Sequence, residues 1–309
     1  MNKRIKLSVI SLLISLTAVS QINLRFVDAA EARKLLQIED ATTHQWSRFD
    51  YESRLGRNGA TKQELIEFIT EQALDWTDED KQKLQEAASE LNALISEQQL
   101  NLPLPKEVKI LKTTLKEEGG AGGYTRKDYI VLESNIANYR SATMKHLLAH
   151  ELFHILTRNH PAFREKLYKC IGFKISPKEF EYPTDLMDLR ITNPDVNRFD
   201  SYATFSIKGE KKDCGMVIYA SSPYKGGVFF NYLTLKLVPI KDGKVEQKDG
   251  KTVTYSIEEA EDFFEKIGKN TGYVIDPEEA LADNFADILV NRTEVPNPEV
   301  QERIRKALK

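Results

Sequence analysis

The chain contains 309 residues, of which 41% are hydrophobic and 29% are charged, and its formal net charge is −3. This length and composition are sufficient to bury a substantial core in one large domain, alone or with a smaller helical companion. Because positive charge is not in excess, we expect no nucleic-acid partner and no attraction to an anionic membrane surface.

The first 20 residues differ in composition from the rest of the chain. MNKRIK is basic, and the apolar run after it carries no charge and ends in the small residues Ala18 and Ser20. This pattern is typical of a cleaved secretory signal peptide, and the run is shorter than the roughly 20 apolar residues that span a membrane. We expect cleavage before Gln21 and an exported, periplasmic or secreted protein with no stable membrane insertion afterwards; an uncleaved anchor is the alternative.

Residues 21–105 are predicted to form an N-terminal helical region. Residues 61–76 have apolar positions at helical spacing, and Thr77 with Asp80 forms a capping-box pattern that begins another helix. The two prolines of NLPLP, residues 101–105, favour extended chain and end the region. No pattern here indicates chemistry, so packing or shielding is the expected role.

Residues 106–309 are predicted to form a second, larger domain, which begins with β-structure. Residues 107–115 and 124–134 each have the composition of a strand. The glycine cluster GGAGG between them, residues 119–123, lacks the spacing of a phosphate-binding loop and is expected to be a flexible turn.

A β-rich insertion is predicted at about residues 204–256. Its strand-like runs are separated by the turn signals Asp242-Gly243 and Asp249-Gly250. Two helices are then expected to close the chain, one beginning at Ser256 with Glu259 as its capping partner and one spanning about 277–290.

The stretch HELFH, residues 150–154, lies on a helix predicted to begin near Ser141 or Thr143 and to end by residue 161. On a helix, His150 and His154 are about 40° apart around the axis and about 6 Å apart along it. Both imidazoles can therefore bind one Zn²⁺ ion. Glu151 lies beside that ion, where a general base can take a proton from zinc-activated water.

The opposite face of this helix is apolar and is expected to pack into the core, through Leu148, Leu152, Ile155 and Leu156. His146 lies one turn before His150 and is expected to face solvent or to support the site from behind. The sequence thus predicts a metal centre on one face of the helix and a core contact on the other.

The third metal ligand has two candidates, and the nearer is His160. HELFHILTRNH has the histidine spacing HExxHxxxxxH, which resembles the metzincin peptidases, with Met187 or Met216 then available for a methionine turn. Thr157 stands where that family has glycine, and a β-branched residue is poor wherever positive φ is required. Pro161 also biases the backbone of His160 toward an extended conformation.

The second candidate is Glu279, which is followed four residues later by Asp283 on a predicted helix. This spacing after an HExxH motif resembles the gluzincin, or thermolysin-like, metallopeptidases. The resemblance implies that Glu279 binds zinc and that Asp283 hydrogen-bonds a ligand histidine. Glu278 is an alternative ligand, and an acidic helix start can also serve only as a cap. We favour His150, His154 and Glu279 as the metal ligands.

These patterns together predict an α+β protein with a zincin-like catalytic core, an N-terminal helical region and a β-rich insertion. The expected function is an exported zinc metallopeptidase that hydrolyses a peptide or protein substrate with Glu151 as general base. Two alternatives stay open: a zinc-stabilised binding protein without catalysis, and a metallohydrolase that acts on non-peptide bonds.

Further expectations concern groups around the metal. The strand at 124–134 is expected to pair with an extended peptide substrate. The candidates for an oxyanion donor are Tyr182, Arg190, Tyr202 and Tyr273. Cys170 and Cys214 are the only cysteines, and their separation in sequence leaves both a disulfide and two free thiols possible.

Overall fold

The computed structural model describes residues 21–309, so the predicted signal peptide lies outside the described residues. Helices and mixed sheets are both present, which confirms the α+β class. The zincin-like arrangement of the core stays a prediction. The N-terminal region is mainly helical, with the elements β1 (Leu24–Phe26), α1 (Ala29–Leu36), α2 (Ala41–Gln45), α3 (Arg48–Arg54), α4 (Lys62–Glu71), β2 (Ala73–Leu74) and α5 (Asp78–Glu97).

The first sheet contains the strands that precede the histidine helix. It adds β3 (Val108–Thr113), β4 (Gly123–Arg126) and β5 (Tyr129–Glu133) to the two N-terminal strands. The order is β1-β3-β5-β4, with β2 also paired to β3. β3 is parallel to β1 and β5, whereas β4 is antiparallel to β5 and lies at the end of the sheet. Residues on both sides of the predicted boundary near residue 105 therefore build one sheet.

The capping box predicted at Thr77 is confirmed. Its side chain accepts a hydrogen bond from the Asp80 N–H at 3.1 Å, and Asp80 accepts one from the Thr77 N–H at 2.9 Å. The helix predicted over residues 61–76 is too long, since α4 ends at Glu71. The next residues leave the helix because β2 pairs with the end of β3.

The single strand predicted over 124–134 is wrong, because this segment is a hairpin of β4 and β5. Lys127 and Asp128 form its two-residue turn, and Lys127 has a φ of 47°. The Glu133 N–H donates to the Gly122 carbonyl at 3.2 Å, so Gly122 and Glu133 are a hydrogen-bonded pair and the next pair along the ladder is not. Alternate backbone groups of β4, those of Gly123 and Thr125, therefore point away from β5.

The helix boundaries predicted around HELFH are confirmed. α6 spans Ser141–Asn159, and α7 (Pro161–Cys170) follows after the single residue His160, with proline at its first position. α6 packs against α5 and against a later helix described below. Its four expected core residues are all buried, namely Leu148, Leu152, Ile155 and Leu156.

The section predicted to be β-rich, at about residues 204–256, forms most of a second sheet, which begins before residue 204. Its strands are β6 (Lys174–Ile175), β7 (Ser201–Ile207), β8 (Glu210–Ala220), β9 (Leu233–Lys241) and β10 (Lys244–Val245), in the order β10-β9-β8-β7-β6, with the short helix α8 (Thr184–Met187) before β7. β11 (Gln247–Lys248) and β12 (Lys251–Thr252) form a separate hairpin. Asp242 and Asp249 both have positive φ before glycine, so both predicted turns are confirmed.

The C-terminal part contains α9 (Phe263–Ile267), α10 (Pro277–Leu289) and α11 (Pro298–Leu308). The capping box at Ser256 and Glu259 is present, but it begins only a 3₁₀ turn, Ile257–Glu259, so the full helix predicted there is wrong. The turn ends at Ala260, where the backbone becomes extended and forms a bridge to Ile207 of β7. α10 matches the predicted bounds, with Asp276 as its cap.

The main core surrounds α6 and α10. It combines residues from α5, β3, β5, β7, α10 and α11 in one apolar cluster. Cys170 and Cys214 are both free thiols, so the disulfide alternative is not adopted. Within residues 21–309, no helix has the length and apolar character needed to cross a membrane.

Candidate metal centre

α6 and α10 pack together so that three predicted ligands meet. His150, His154 and Glu279 each offer a ligand atom, and these atoms all lie within 4.8 Å of one another. Oε2 of Glu279 is 3.1 Å from Nε2 of His150 and 3.6 Å from Nε2 of His154. The spacing agrees with a shared ion, since two atoms each at roughly 2.0–2.1 Å from one tetrahedral zinc lie about 3.3 Å apart.

The burial and hydrogen bonding of His154 give a separate test of whether these residues suit a metal. Its side chain is fully buried, and its Nε2 atom has no hydrogen-bond partner among the described residues. Buried polar atoms without a protein partner are rare, and they usually bind a water or an ion. Two imidazole nitrogens and one carboxylate oxygen are a donor set that zinc accepts, with one position left open.

Each ligand histidine is held from behind by a carboxylate. Nδ1 of His150 is 2.9 Å from Asp283, and Nδ1 of His154 is 3.1 Å from Glu278. These contacts leave Nε2 of both rings directed to Glu279. Glu278, the alternative ligand, therefore contacts the rear nitrogen of a histidine and not the space between the ligand atoms. Carboxylates in this position fix the ring orientation and increase the basicity of the metal-binding nitrogen.

The supporting carboxylates are themselves held by polar side chains. Glu278 accepts hydrogen bonds from the Tyr168 hydroxyl at 2.6 Å and from the Thr157 hydroxyl. Asp283 accepts one from the hydroxyl of Thr271. The second oxygen of Glu279 accepts one from the amide of Asn193. Tyr168, Thr271 and Asn193 were not identified from the sequence, because no motif links them to HELFH.

Glu151 lies beside the ligand group and is almost fully buried. Its carboxylate accepts a hydrogen bond from the Thr125 hydroxyl at 2.9 Å. A side chain at Gly123 would bring its Cβ to within 3.1 Å of Glu151, so glycine allows β4 to approach α6 closely. Burial raises the pKa of Glu151, as expected for a carboxyl group taken out of water.

A further acid, Asp195, was missed by the sequence analysis. Its carboxylate accepts a hydrogen bond from the Thr125 N–H at 2.6 Å. Ligand atoms of Glu151, His154 and Asp195 form a second group in which all lie within 4.8 Å of one another. Burial raises the pKa of Asp195, and the Glu151 carboxylate raises it further. A loop residue without periodic spacing carries no sequence signal that would select it.

Opposite charges perturb the ligands in the metal-free protein. Burial alone would lower the pKa of His150, but the hydrogen bonds to Asp283 and Glu279 raise it to about 10. Burial opposes ionisation of Glu279 as well, but the charge of His154 and the His150 hydrogen bond hold its pKa well below the usual range. The folded site thus stabilises positive charge between the ligand carboxylate and the imidazoles.

The structure does not bring His160 to the ligand group in the described part of the chain. α6 continues through Thr157, whose hydroxyl bonds to the carbonyls of Phe153 and His154, and the His160 N–H still donates to Leu156. His160 therefore lies about 9 Å further along the axis than His154. His146 approaches Asp287 at 3.2 Å and is partly exposed.

Tyr273 is the one oxyanion candidate that lines the cavity beside the ligands, as far as residues 21–309 are concerned. Its ring centroid is 6.2 Å from that of His150. The other three candidates have contacts elsewhere: Tyr182 packs against Phe199, Arg190 against the same ring, and Tyr202 against Phe180.

The ligand group opens onto a cavity of about 700 Å³. The walls come from the segment before β4, from the first half of α6 with the residues just before it, and from α10 with the residues just after it. They include Gly122, Tyr139, Ala142, His146, Asp287 and Arg292. His150, Glu151 and Glu279 are also part of the lining. A second cavity, of about 60 Å³, shares Ala121, Gly123, Asp195 and Tyr273 with the first.

Comparisons with protein-family models, with curated proteins and with solved structures give no match for this chain. The likeness to gluzincins therefore rests on two short segments, HELFH at 150–154 and the Glu279–Asp283 pair. The contacts between these segments are a property of this fold, because α6 and α10 bring them together across 125 residues of sequence.

Proposed function

We propose that this protein is an exported zinc metallopeptidase. The observation that carries the proposal is the orientation of the two imidazoles: both Nε2 atoms face Glu279, and both Nδ1 atoms contact carboxylates. A buried Nε2 atom without a partner, on His154, supports a metal between these groups. The basic and apolar N-terminal segment supports export.

In this proposal, His150, His154 and Glu279 would hold a zinc ion, and the bound ion would supply the Lewis acidity that activates water and polarises the scissile carbonyl. Glu151 takes the proton of the attacking water and passes it to the leaving amine. Its hydrogen bond from Thr125 fixes the carboxylate next to the site. Glu278 and Asp283 keep the rings in one orientation, so little rearrangement is needed during the reaction.

The edge strand β4 supplies a binding surface for an extended peptide. Gly123 and Thr125 direct their backbone groups away from β5. The Thr125 N–H is bonded to Asp195, whereas the backbone groups of Gly123 face the side on which a substrate strand would add. Glu151 contacts this strand, so a peptide paired with β4 would pass beside the general base. The large cavity reaches His150 and Glu279, which favours catalysis over a purely structural metal.

Metal analysis combined with a peptidase assay tests the proposal. We expect wild type and Glu151→Gln to bind one zinc per chain, and Glu151→Gln to lose between about 100- and 10,000-fold in hydrolysis of a peptide mixture followed by mass spectrometry. Glutamine keeps the size of the side chain and an oxygen for Thr125, so the fold is expected to be retained.

The third ligand is tested with a matched pair of variants. Glu279→Ala is expected to lose zinc and activity, whereas His160→Ala is expected to keep both, since His160 lies outside the ligand group. Full zinc content in Glu279→Ala, or loss of zinc in His160→Ala, would show that the ligand assignment is wrong. No zinc in the wild type and no hydrolysis would contradict the function itself.

A further inference from the structure

The large cavity extends in only one direction from the metal ligands. α6 and α10 run antiparallel, and the contacts His146–Asp287, His150–Asp283 and His154–Glu278 follow one another along them. The cavity walls continue past His146 and Asp287, where the helices are partly exposed. On the other side, His154 and Glu278 are buried. The ligands therefore lie at the closed end of the cavity.

A loop held by several hydrogen bonds closes that end. Asn193 donates to Glu279, and Asp195 accepts from the N–H of Thr125 on β4. Behind the loop, the Arg158 guanidinium donates to the carbonyls of Pro194 and Asp195 at 2.9 and 3.1 Å. Because Asp195 occupies an outward N–H of β4, a substrate strand can pair with the Gly123 end of β4 but cannot continue past Thr125.

The closed end carries the carboxylate of Asp195, which lies next to the imidazole of His154. No Arg or Lys side chain within residues 21–309 forms an ion pair with the Asp195 carboxylate, since Arg158 contacts only backbone carbonyls there. Ligand atoms of Asp195, Glu151 and His154 lie within 4.8 Å of one another, and the Nε2 atom of His154 has no hydrogen-bond partner among the described residues. In a peptide, the terminal amino nitrogen is two bonds from the first carbonyl carbon. An ammonium group on a substrate whose first carbonyl is at the metal would therefore come within reach of Asp195.

The smaller cavity fits one apolar side chain at the same end. Its volume of about 60 Å³ is less than a tenth of that of the large cavity. Asp195 and Tyr273 border it, and the remaining walls are largely apolar, including Tyr124, Ile191, Ile218, Phe229 and Ile275. An exopeptidase requires room for a single residue on one side of the metal and for a longer chain on the other, and the two cavities provide this arrangement.

We propose that the enzyme is an aminopeptidase that removes an apolar first residue from peptides with a free N-terminus, and that Asp195 binds the terminal ammonium group. This inference rests on the proposed metallopeptidase function. In the reaction, the water oxygen forms a bond to the first carbonyl carbon and the C–N bond breaks. One water proton passes through Glu151 to the leaving nitrogen, which yields a free amino acid and a peptide shorter by one residue.

The first experiment compares two substrates with the zinc-loaded protein. A heptapeptide beginning with leucine and its N-acetylated form are each incubated with it, and the products are identified by mass spectrometry. We expect stepwise loss of the first residue from the free peptide and at least about 10-fold slower cleavage of the acetylated one, as for loss of a charged hydrogen bond. A heptapeptide beginning with aspartate is expected to be a poor substrate.

The second experiment measures binding without turnover. Zinc-loaded Glu151→Gln is titrated with both heptapeptides, and we expect the free form to bind at least about 10-fold more tightly. In the double variant that combines Glu151→Gln with Asp195→Asn, the two peptides are expected to bind with equal affinity. Asparagine keeps an oxygen that can accept from the Thr125 N–H. Asp287→Asn is the matched control, because it removes a carboxylate from the open end of the same cavity and is expected to preserve the difference.

The outcomes separate this inference from the function on which it rests. Cleavage of both heptapeptides at internal bonds and at equal rates would leave a metallopeptidase but overturn the aminopeptidase. Equal affinity for the two peptides in Glu151→Gln, or preserved discrimination after Asp195→Asn, would overturn the role of Asp195. If the zinc-loaded protein neither cleaved nor bound any peptide, both the proposed function and this inference would be wrong.

Discussion

His150 and His154 are held by carboxylates in different environments. Glu278, behind His154, is buried and also bonded by Tyr168 and Thr157. Asp283, behind His150, lies closer to the cavity, with 22% of its side chain exposed. Because Asp283 has fewer partners, it can be removed with less damage to the core. Asp283 is therefore the better position at which to measure how much a carboxylate behind a histidine contributes to zinc affinity.

Replacement of Asp283 by alanine is expected to weaken zinc binding by about 10- to 100-fold, the usual effect of removing a carboxylate that orients a metal-binding histidine. Competition with a chromophoric chelator measures the affinity. Asp287→Ala is the matched control, since it lies one turn further along α10 and contacts His146, which is not a ligand. Equal affinities in the two variants would argue against the role of Asp283.

Sequence alone identified the residues of the site that lie on helices with regular spacing. HELFH sets the relation of His150, Glu151 and His154, and helical spacing places Asp283 beside Glu279. The roles of Glu278 and Glu279 depend on how far α10 is rotated against α6, and packing alone sets that rotation. Asp195 lies in a loop whose position is determined by distant side chains, so no local pattern indicates it.

At the scale of elements, the loop that closes the cavity is anchored by the N-terminal helices. Asp50 on α3 accepts hydrogen bonds from the N–H and hydroxyl of Thr192 at 3.0 and 2.7 Å. Arg54 donates to the Thr192 carbonyl at 2.8 Å and pairs with both Asp50 and Glu118. This buried network holds the residues that precede Asn193, so α3 positions one wall of the site.

Asp50→Ala is expected to destabilise the protein by about 3–5 kcal/mol, because it leaves part of a buried charge network without its partner. Urea unfolding followed by circular dichroism measures the change. Asp78→Ala, at an exposed position at the start of α5, is the control and is expected to change the free energy of unfolding by less than about 0.5 kcal/mol. A similar small effect for Asp50→Ala would show that the network is not needed for stability.

The elements that could be predicted are those with local signals. α6 and α10 have apolar periodicity and clear ends, and paired Asp-Gly residues mark the turns at 242 and 249. The hairpin at β4 and β5 was missed because its turn, Lys127-Asp128, lacks glycine. β2 was missed because two residues pair with β3 only after the sheet has formed.

At the scale of the whole molecule, the N-terminal region is an integral part of the fold. β1 and β2 belong to the same sheet as β4 and β5, and α5 packs on α6. Through Asp50 and Arg54 the region also supports the wall next to the proposed metal ligands. Packing or shielding is the role expected from the sequence, and the position of this region against the site could not be predicted because such contacts are not local.

Stability of the metal-free protein is expected to fall as pH rises. The folded pKa of His150 is raised from 6.5 to about 10, so protonation stabilises the fold below about pH 6.5 and this contribution is lost as the pH rises toward 10. Thermal unfolding at pH 7 and 9.5 after chelation tests this. The zinc-loaded protein, in which the ion replaces the proton, and metal-free His150→Ala should show a weaker dependence.

The pairing of α6 with α10 also has a consequence for biosynthesis. Glu279 is encoded 125 residues after His154. A growing polypeptide therefore cannot assemble the proposed ligand set until α10 has been synthesised. We expect a truncated chain that stops before α10 to bind no zinc at this site, which metal analysis of the purified fragment would measure.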